Sequence, residues 1–126
     1  FLWKNRVMAE TLIAAGYFEL RLADSGHTIA KLAAPGVEGY VLGRLDSGST
    51  YVPDIDLSAY EALDHGISRR HAALVRFHDR LHVVDLSSVN GTFLDGQRLK
   101  PDKPYPLQVN VTLRIGSLNL SLIKID

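Results

Sequence analysis

From Tyr17 onward apolar and polar residues alternate: Phe18, Leu20 and Leu22 are interleaved with Glu19, Arg21 and Ala23. Successive side chains of a strand point to opposite faces, so this two-residue period predicts a half-buried strand. Strand-sized segments recur at 27–33, 39–44, 54–57, 73–78, 81–86, 92–94, 98–99, 109–115 and 118–125. Turn signals separate them: Asp24-Ser-Gly26, Pro35-Gly36, Asp79-Arg80, Asp95-Gly96, Pro101-Asp102 and Gly116-Ser117. Asp95-Gly96 is the strongest of these, because a type I′ hairpin turn needs positive φ at both central residues. Many short strands at regular spacing predict an all-β sandwich.

Two stretches break this rhythm. Val7, Met8, Leu12 and Ala15 fall at helical spacing with Gly16 just after, which predicts a short amphipathic helix over 4–15. We therefore divide the chain into an N-terminal helix or linker, residues 1–16, and one domain, residues 17–126. Within the domain, Ser58-Ala-Tyr-Glu61 matches a capping box. It predicts a single helical turn over about 59–63, ended by Gly66 in a left-handed conformation.

The 126 residues suit one domain, and 46% hydrophobic residues suffice for its core. Lys plus Arg and Asp plus Glu both number 14. That balance argues against a nucleic-acid or membrane-surface binder, which normally carries a basic excess, but it leaves room for a local cationic pocket. There is no cysteine, so neither a disulfide nor a thiol nucleophile is available, which suits a reducing cytosol. No apolar run approaches the roughly 20 residues that span a bilayer. The opening Phe1-Leu-Trp-Lys-Asn-Arg6 has neither an initiator Met nor the form of a secretory leader. We expect a piece of a larger cytoplasmic protein.

Candidate chemistry concentrates in three places where strands should turn: Gly43-Arg44, Ser68-Arg-Arg-His71 and the run from Asp85 to Thr92. A phosphate dianion needs convergent donors, and the planar fork of arginine supplies paired, charge-assisted hydrogen bonds. Arg44 follows a glycine at a strand end. Ser68 adds a hydroxyl donor beside Arg69, and loop amides there can form an anion-binding concavity. His71 is expected to hydrogen-bond the loop and fix its shape. Asn90, with a carbonyl and an amide on one side chain, can clamp a peptide main chain from both sides. Asp85, Ser87 and Ser88 are expected to tie their loop down through local bonds. Each piece alone is also what a solvated arginine or a plain Asn-Gly turn looks like.

Taken in order, Gly43-Arg44, Ser68-Arg-Arg-His71 and Asp85-Leu-Ser-Ser-Val-Asn-Gly-Thr-Phe-Leu-Asp-Gly96 resemble the forkhead-associated (FHA) domain family over about residues 17–125. The resemblance implies an eleven-stranded β-sandwich of two sheets whose loops at one end bind a phosphothreonine peptide. It implies that Arg44 and Ser68 contact the phosphate, that Arg69 assists from a flanking position and that Asn90 holds the peptide backbone. Ser88 and Val89 would lie beside the peptide, while Gly43, His71, Gly91 and Thr92 would shape the loops. Val89 stands where the family often has Thr or Ser, so one hydroxyl contact is missing. The stretch 48–66 is longer than in the shortest members, which bears on peptide selectivity.

Other readings are weaker. Ser68, His71 and Asp85 contain the residue types of a hydrolytic triad, but Gly66-Ile-Ser-Arg-Arg70 is not a nucleophile elbow and no oxyanion hole is marked. His71, His78 and His82 lack the carboxylate or thiolate that would complete a metal set. The sequons at Asn90 and Asn110 lack a secretory signal to give them meaning. The expectation is a phosphothreonine-dependent interaction module, without enzyme activity, cofactor or metal. Its partner would be a phosphothreonine protein, in trans or within the same full-length chain, with no nucleic acid or membrane involved. The alternative is a phosphate-independent FHA-like scaffold or self-association domain.

Overall fold

In the computed structural model, which describes residues 11–126, alternation builds two packed sheets. The strands are β1 Tyr17–Leu22, β2 Thr28–Ala33, β3 Tyr40–Gly43, β4 Ile55–Asp56, β5 Arg70–Phe77, β6 Arg80–Asp85, β7 Thr92–Leu94, β8 Gln97–Arg98, β9 Tyr105–Pro106, β10 Leu113–Ile115 and β11 Leu118–Lys124. One sheet has the order β2-β1-β11-β10-β7-β8 and the other β4-β3-β5-β6-β9. All pairings are antiparallel except β3 with β4. The expected all-β sandwich and its eleven strands are present.

The core lies between the sheets. Phe18, Leu20, Leu113, Ile115 and Leu120 face Leu42, Leu74, Leu81 and Val83 across it, all essentially without solvent contact. At roughly 1.5–3 kcal/mol for each fully buried large apolar side chain, this layer is the main term holding the sheets together. Tight turns set the register. His78 and Asp79 both have positive φ between β5 and β6, as do Asp95 and Gly96 between β7 and β8.

Four expectations need correction. The N-terminal helix falls mainly on residues outside those described, but its described end, 11–15, is not helical. Thr11 bridges Gln108 and Ile13 bridges Arg80. The Leu12 N–H donates to the Leu107 carbonyl at 2.8 Å, and the Leu12 carbonyl accepts from Leu81 at 2.8 Å. Leu12 is buried in the core, so sheet-edge pairing overrides its helical spacing, and the packing reaches ahead of Tyr17.

The helical turn is a single 3₁₀ turn at Ser58–Tyr60 and lacks the capping box. The Ser58 hydroxyl instead donates to Asp56 at 2.6 Å and accepts from the Leu45 N–H at 3.0 Å. The strand expected over 109–115 shrinks to β10, because Asn110 at φ 66° breaks the extended path. Finally, β9 is missing from the expected strand segments, since it lies among prolines just after the Pro101-Asp102 turn signal. Pro106 is tolerated because β9 is the edge strand beside β6.

Antiparallel pairing brings the C-terminal ends of β3 and β6 next to the start of β5, and the start of β7 beside the end of β10. The β3–β4, β4–β5, β6–β7 and β10–β11 loops therefore gather at one end. They are stitched there by Arg44 N–H to the Arg69 carbonyl, Gly116 N–H to Gly91 and Ser117 N–H to His65. This is where the three polar runs meet.

Candidate functional site

Arg44 is positioned by an irregularity that only glycine permits. The register between β3 and β5 shifts at Leu42/Gly43. A Cβ on Gly43 would overlap the Arg69 carbonyl oxygen. With that close approach allowed, Arg44 leaves the sheet and its side chain lies across the β4–β5 loop. Its Nε donates to the Ile67 carbonyl at 2.7 Å and its Nη1 to the Leu45 carbonyl at 3.3 Å. The guanidinium is thus anchored by two carbonyl oxygens, one at Nε and one at Nη1, with its side chain still 18% exposed. Orientation is fixed before any ligand arrives, which lowers the cost of binding.

Arg69 joins Arg44 through a shared carboxylate. Asp46 Oδ1 lies 3.6 Å from Arg44 Nη1, and its Oδ2 lies 3.9 Å from Arg69 Nη1. One small anion therefore already spans both cations. Asp46 carries no motif, and nothing in the sequence marks it.

Ser68 precedes Arg69 on the β4–β5 loop and lines the same surface depression. Its Oγ accepts from the Val89 N–H at 3.2 Å, linking this loop to β6–β7. Among the described residues the Ser68 hydroxyl hydrogen has no acceptor, so it remains available as a donor to a ligand. His71 fixes the loop from beneath. The Ser68 N–H donates to His71 Nδ1 at 3.0 Å, which makes Nδ1 the acceptor and leaves the proton on Nε2, facing the Gly91 carbonyl at 2.8 Å. Burial pushes the imidazole below the ordinary histidine value, against the Gly91 hydrogen bond and the Asp85 charge, which favour the proton. The ring serves the Ser68 main chain and is not placed as a base for the Ser68 hydroxyl. His71 thus bonds both the Ser68 main chain and the Gly91 carbonyl.

Asn90 crosses to the neighbouring loop. Its Nδ2 donates to the Gly66 carbonyl at 2.9 Å, and among the described residues its amide oxygen and second N–H have no partner. Gly66 has φ 70°, and a Cβ there would run into the Asn90 amide. The loop beneath is tied by Asp85, which is buried. Asp85 Oδ1 accepts from the Ser88 and Thr92 hydroxyls, each at 2.6 Å, and Oδ2 accepts from the Ser88 N–H at 3.3 Å. Ser88 Oγ in turn accepts from the Gly91 N–H at 3.0 Å. Ser88, expected beside the peptide, spends its hydroxyl inside the loop. Val89 does face outward, with 81% of its surface exposed.

The long β3–β4 loop adds a feature the motifs did not reveal. Tyr51, Ser68, Arg69 and Arg70 line a surface depression next to the arginine pair. The Arg70 guanidinium lies over the Tyr51 ring, 5.8 Å from its centre. The depression has an aromatic wall and a cationic rim. His78 and His82 instead flank Phe77, with ring centres at 4.2 and 5.2 Å from it.

The FHA domain pattern matches residues 40–116, more than half of the chain, and the chain belongs to the FHA domain family. FHA domains are interaction modules known for binding phosphothreonine peptides. Over 105 residues the chain is 42% identical to the protein phosphatase 1 regulatory inhibitor subunit PPP1R8 homolog of Arabidopsis thaliana, covering 82% of this chain and 26% of that protein. The FHA domain of CT664 protein from Chlamydia trachomatis is similar with a TM-score of 0.64 and 25% identity, covering 88% of this chain and 100% of that one. The MEK1 FHA domain in complex with a HOP1 phosphothreonine peptide has a similar fold, with a TM-score of 0.55 and 23% identity, covering 86% and 97%. The chain spans about a quarter of the length of the Arabidopsis relative.

Proposed function

We propose that this domain binds a phosphothreonine on a protein partner, or on another segment of its own protein, and does no chemistry on it. The observation that carries the proposal is Arg44 and Arg69 converging on one carboxylate beside the free Ser68 hydroxyl donor. A phosphate dianion offers more charge and more acceptor oxygens to the same groups. Arg44 and Ser68 hold the phosphate, Arg69 assists, and Asn90 clamps the peptide main chain. The exposed Val89 side chain, whose N–H bonds Ser68, offers the threonine methyl an apolar contact that phosphoserine cannot use. The depression at Tyr51 takes a peptide side chain to one side of the phosphothreonine.

Membership of the FHA family supports this reading, as does the MEK1 domain's complex with a phosphothreonine peptide. The Arabidopsis relative's name, a regulatory inhibitor subunit of protein phosphatase 1, fits a role in phosphorylation signalling.

The test is a nuclear magnetic resonance titration with one peptide, selected from a library with fixed phosphothreonine, in phosphothreonine, phosphoserine and unmodified forms. Phosphothreonine should bind tightest, with shifts centred on Arg44 Nε, the Ser68 amide and the Asn90 side-chain amide. Equal binding of all three forms would leave the domain as a phosphate-independent scaffold.

A further inference from the structure

We infer that Asp46 is a built-in competitor for the phosphate: its carboxylate bridges Arg44 and Arg69 in the free domain and yields both when a phosphate binds. This rests on the phosphothreonine reading above and assigns a specific residue that sets the site's affinity. At 3.6 and 3.9 Å the two contacts lie beyond hydrogen-bond length, so Asp46 is held by charge and not by a directional bond. Nor does Asp46 hold Arg44 in place. The Ile67 carbonyl already anchors that guanidinium at Nε, and the Leu45 carbonyl holds Nη1, the nitrogen that also faces Asp46, by a directional bond. Among the described residues Asp46 is the only carboxylate within 4.0 Å of either arginine.

The carboxylate is also free to leave. Asp46 follows β3 on the exposed β3–β4 loop, where its carbonyl accepts from the Ser49 N–H at 3.0 Å. That backbone turn can persist while the side chain rotates outward. A phosphate dianion arriving at the arginine pair then meets a like charge that must either move or repel it. The affinity is consequently lower than the two arginines alone would allow, and the deficit is electrostatic and salt-sensitive.

The isosteric variant Asp46→Asn removes the charge and keeps the shape. It should bind the phosphothreonine peptide about fivefold more tightly than the wild type at low salt, with the gain shrinking at high salt. Asp79→Asn makes the same change of net charge in the β5–β6 turn, at the far end of β5, and should leave affinity unchanged. Inorganic phosphate, followed through the Arg44 Nε signal, should show the same ordering of the three proteins. Equal or weaker binding by Asp46→Asn, with the wild type still selective for the phosphorylated peptide, overturns the role of Asp46 and leaves the phosphate reading intact. An equal gain in Asp79→Asn also overturns it, since net charge would then account for the effect. Wild type and Asp46→Asn both binding the phosphorylated and unmodified peptides alike would overturn the phosphate reading, and the competitor with it.

Discussion

The Ser68 main-chain N–H donates to Nδ1 of the buried His71 at 3.0 Å, so the loop that carries Ser68 depends on an unprotonated ring nitrogen. A proton on Nδ1 would set two donors against each other and release Ser68 from the strand below it.

This dependence fixes the sign of a pH effect. Burial holds His71 below its ordinary value of about 6.5. The unfolded chain therefore takes up a proton at a pH where the folded domain does not. Stability is fully present above about pH 6.5 and is lost as pH falls from there through the lower folded-state value. Urea unfolding of the ligand-free domain between pH 7.5 and 5 should show this decline, and His71→Gln should show a flatter one. Identical slopes in the two proteins would remove His71 from the account. The ligand is left out because the second ionisation of a phosphothreonine, near pH 6, falls in the same window.

A second prediction concerns the floor of the β6–β7 loop. Asp85→Ala strips the acceptor from the Thr92 hydroxyl, which has no solvent contact, and from the Ser88 hydroxyl. One buried unsatisfied hydroxyl costs about 1–3 kcal/mol, so unfolding free energy should fall by about that amount or more. Peptide affinity should fall with it, since the same loop carries Asn90. A variant with wild-type stability would show that Thr92 and Ser88 find other partners.

Gly66 and Gly26 separate backbone strain from site geometry. Both have positive φ, at 70° and 75°, but a Cβ on Gly66 meets the Asn90 side chain and one on Gly26 meets nothing within 4 Å. Each alanine variant should lose about 1–2 kcal/mol of stability from the left-handed backbone. Only Gly66→Ala should also weaken phosphopeptide binding, by displacing the Asn90 amide. Parallel thermal melts and peptide titrations check this, and equal affinity losses in both variants would count against the Asn90–Gly66 packing.

The sheet was legible in the chain wherever side-chain alternation coincided with burial, as along Phe18 and Leu20 or Leu81 and Val83. It was illegible where tertiary pairing overrode local pattern. Leu12 has helical spacing but is pinned by Leu107 and Leu81 on a sheet edge, and Pro106 hides a short edge strand. The candidate site was legible through the order and spacing of pieces that are each commonplace in loops: Gly43-Arg44, Ser68, His71, Asn90 and the Asp85 loop. What could not be read were partnerships formed across the chain. Asp46 becomes notable only because folding sets it between Arg44 and Arg69, and Tyr51 only because the long loop lays it beside Ser68 and Arg70. Ser58 shows the opposite failure: its capping-box pattern is genuine, but Asp56 and Leu45 claim the hydroxyl.

Whether the arginine–serine end of the sandwich reads phosphate can be measured with two peptides and two proteins. Calorimetric titration of a phosphothreonine peptide and its unmodified twin into the wild type and Arg44→Ala gives four affinities. The account predicts that only the wild type binds the phosphorylated peptide well. Arg44→Ala should lose about 1.5–3 kcal/mol, the range for hydrogen bonds to charged groups, and keep its fold. Wild-type binding that ignores the phosphate, or phosphopeptide binding unchanged in Arg44→Ala, would contradict it.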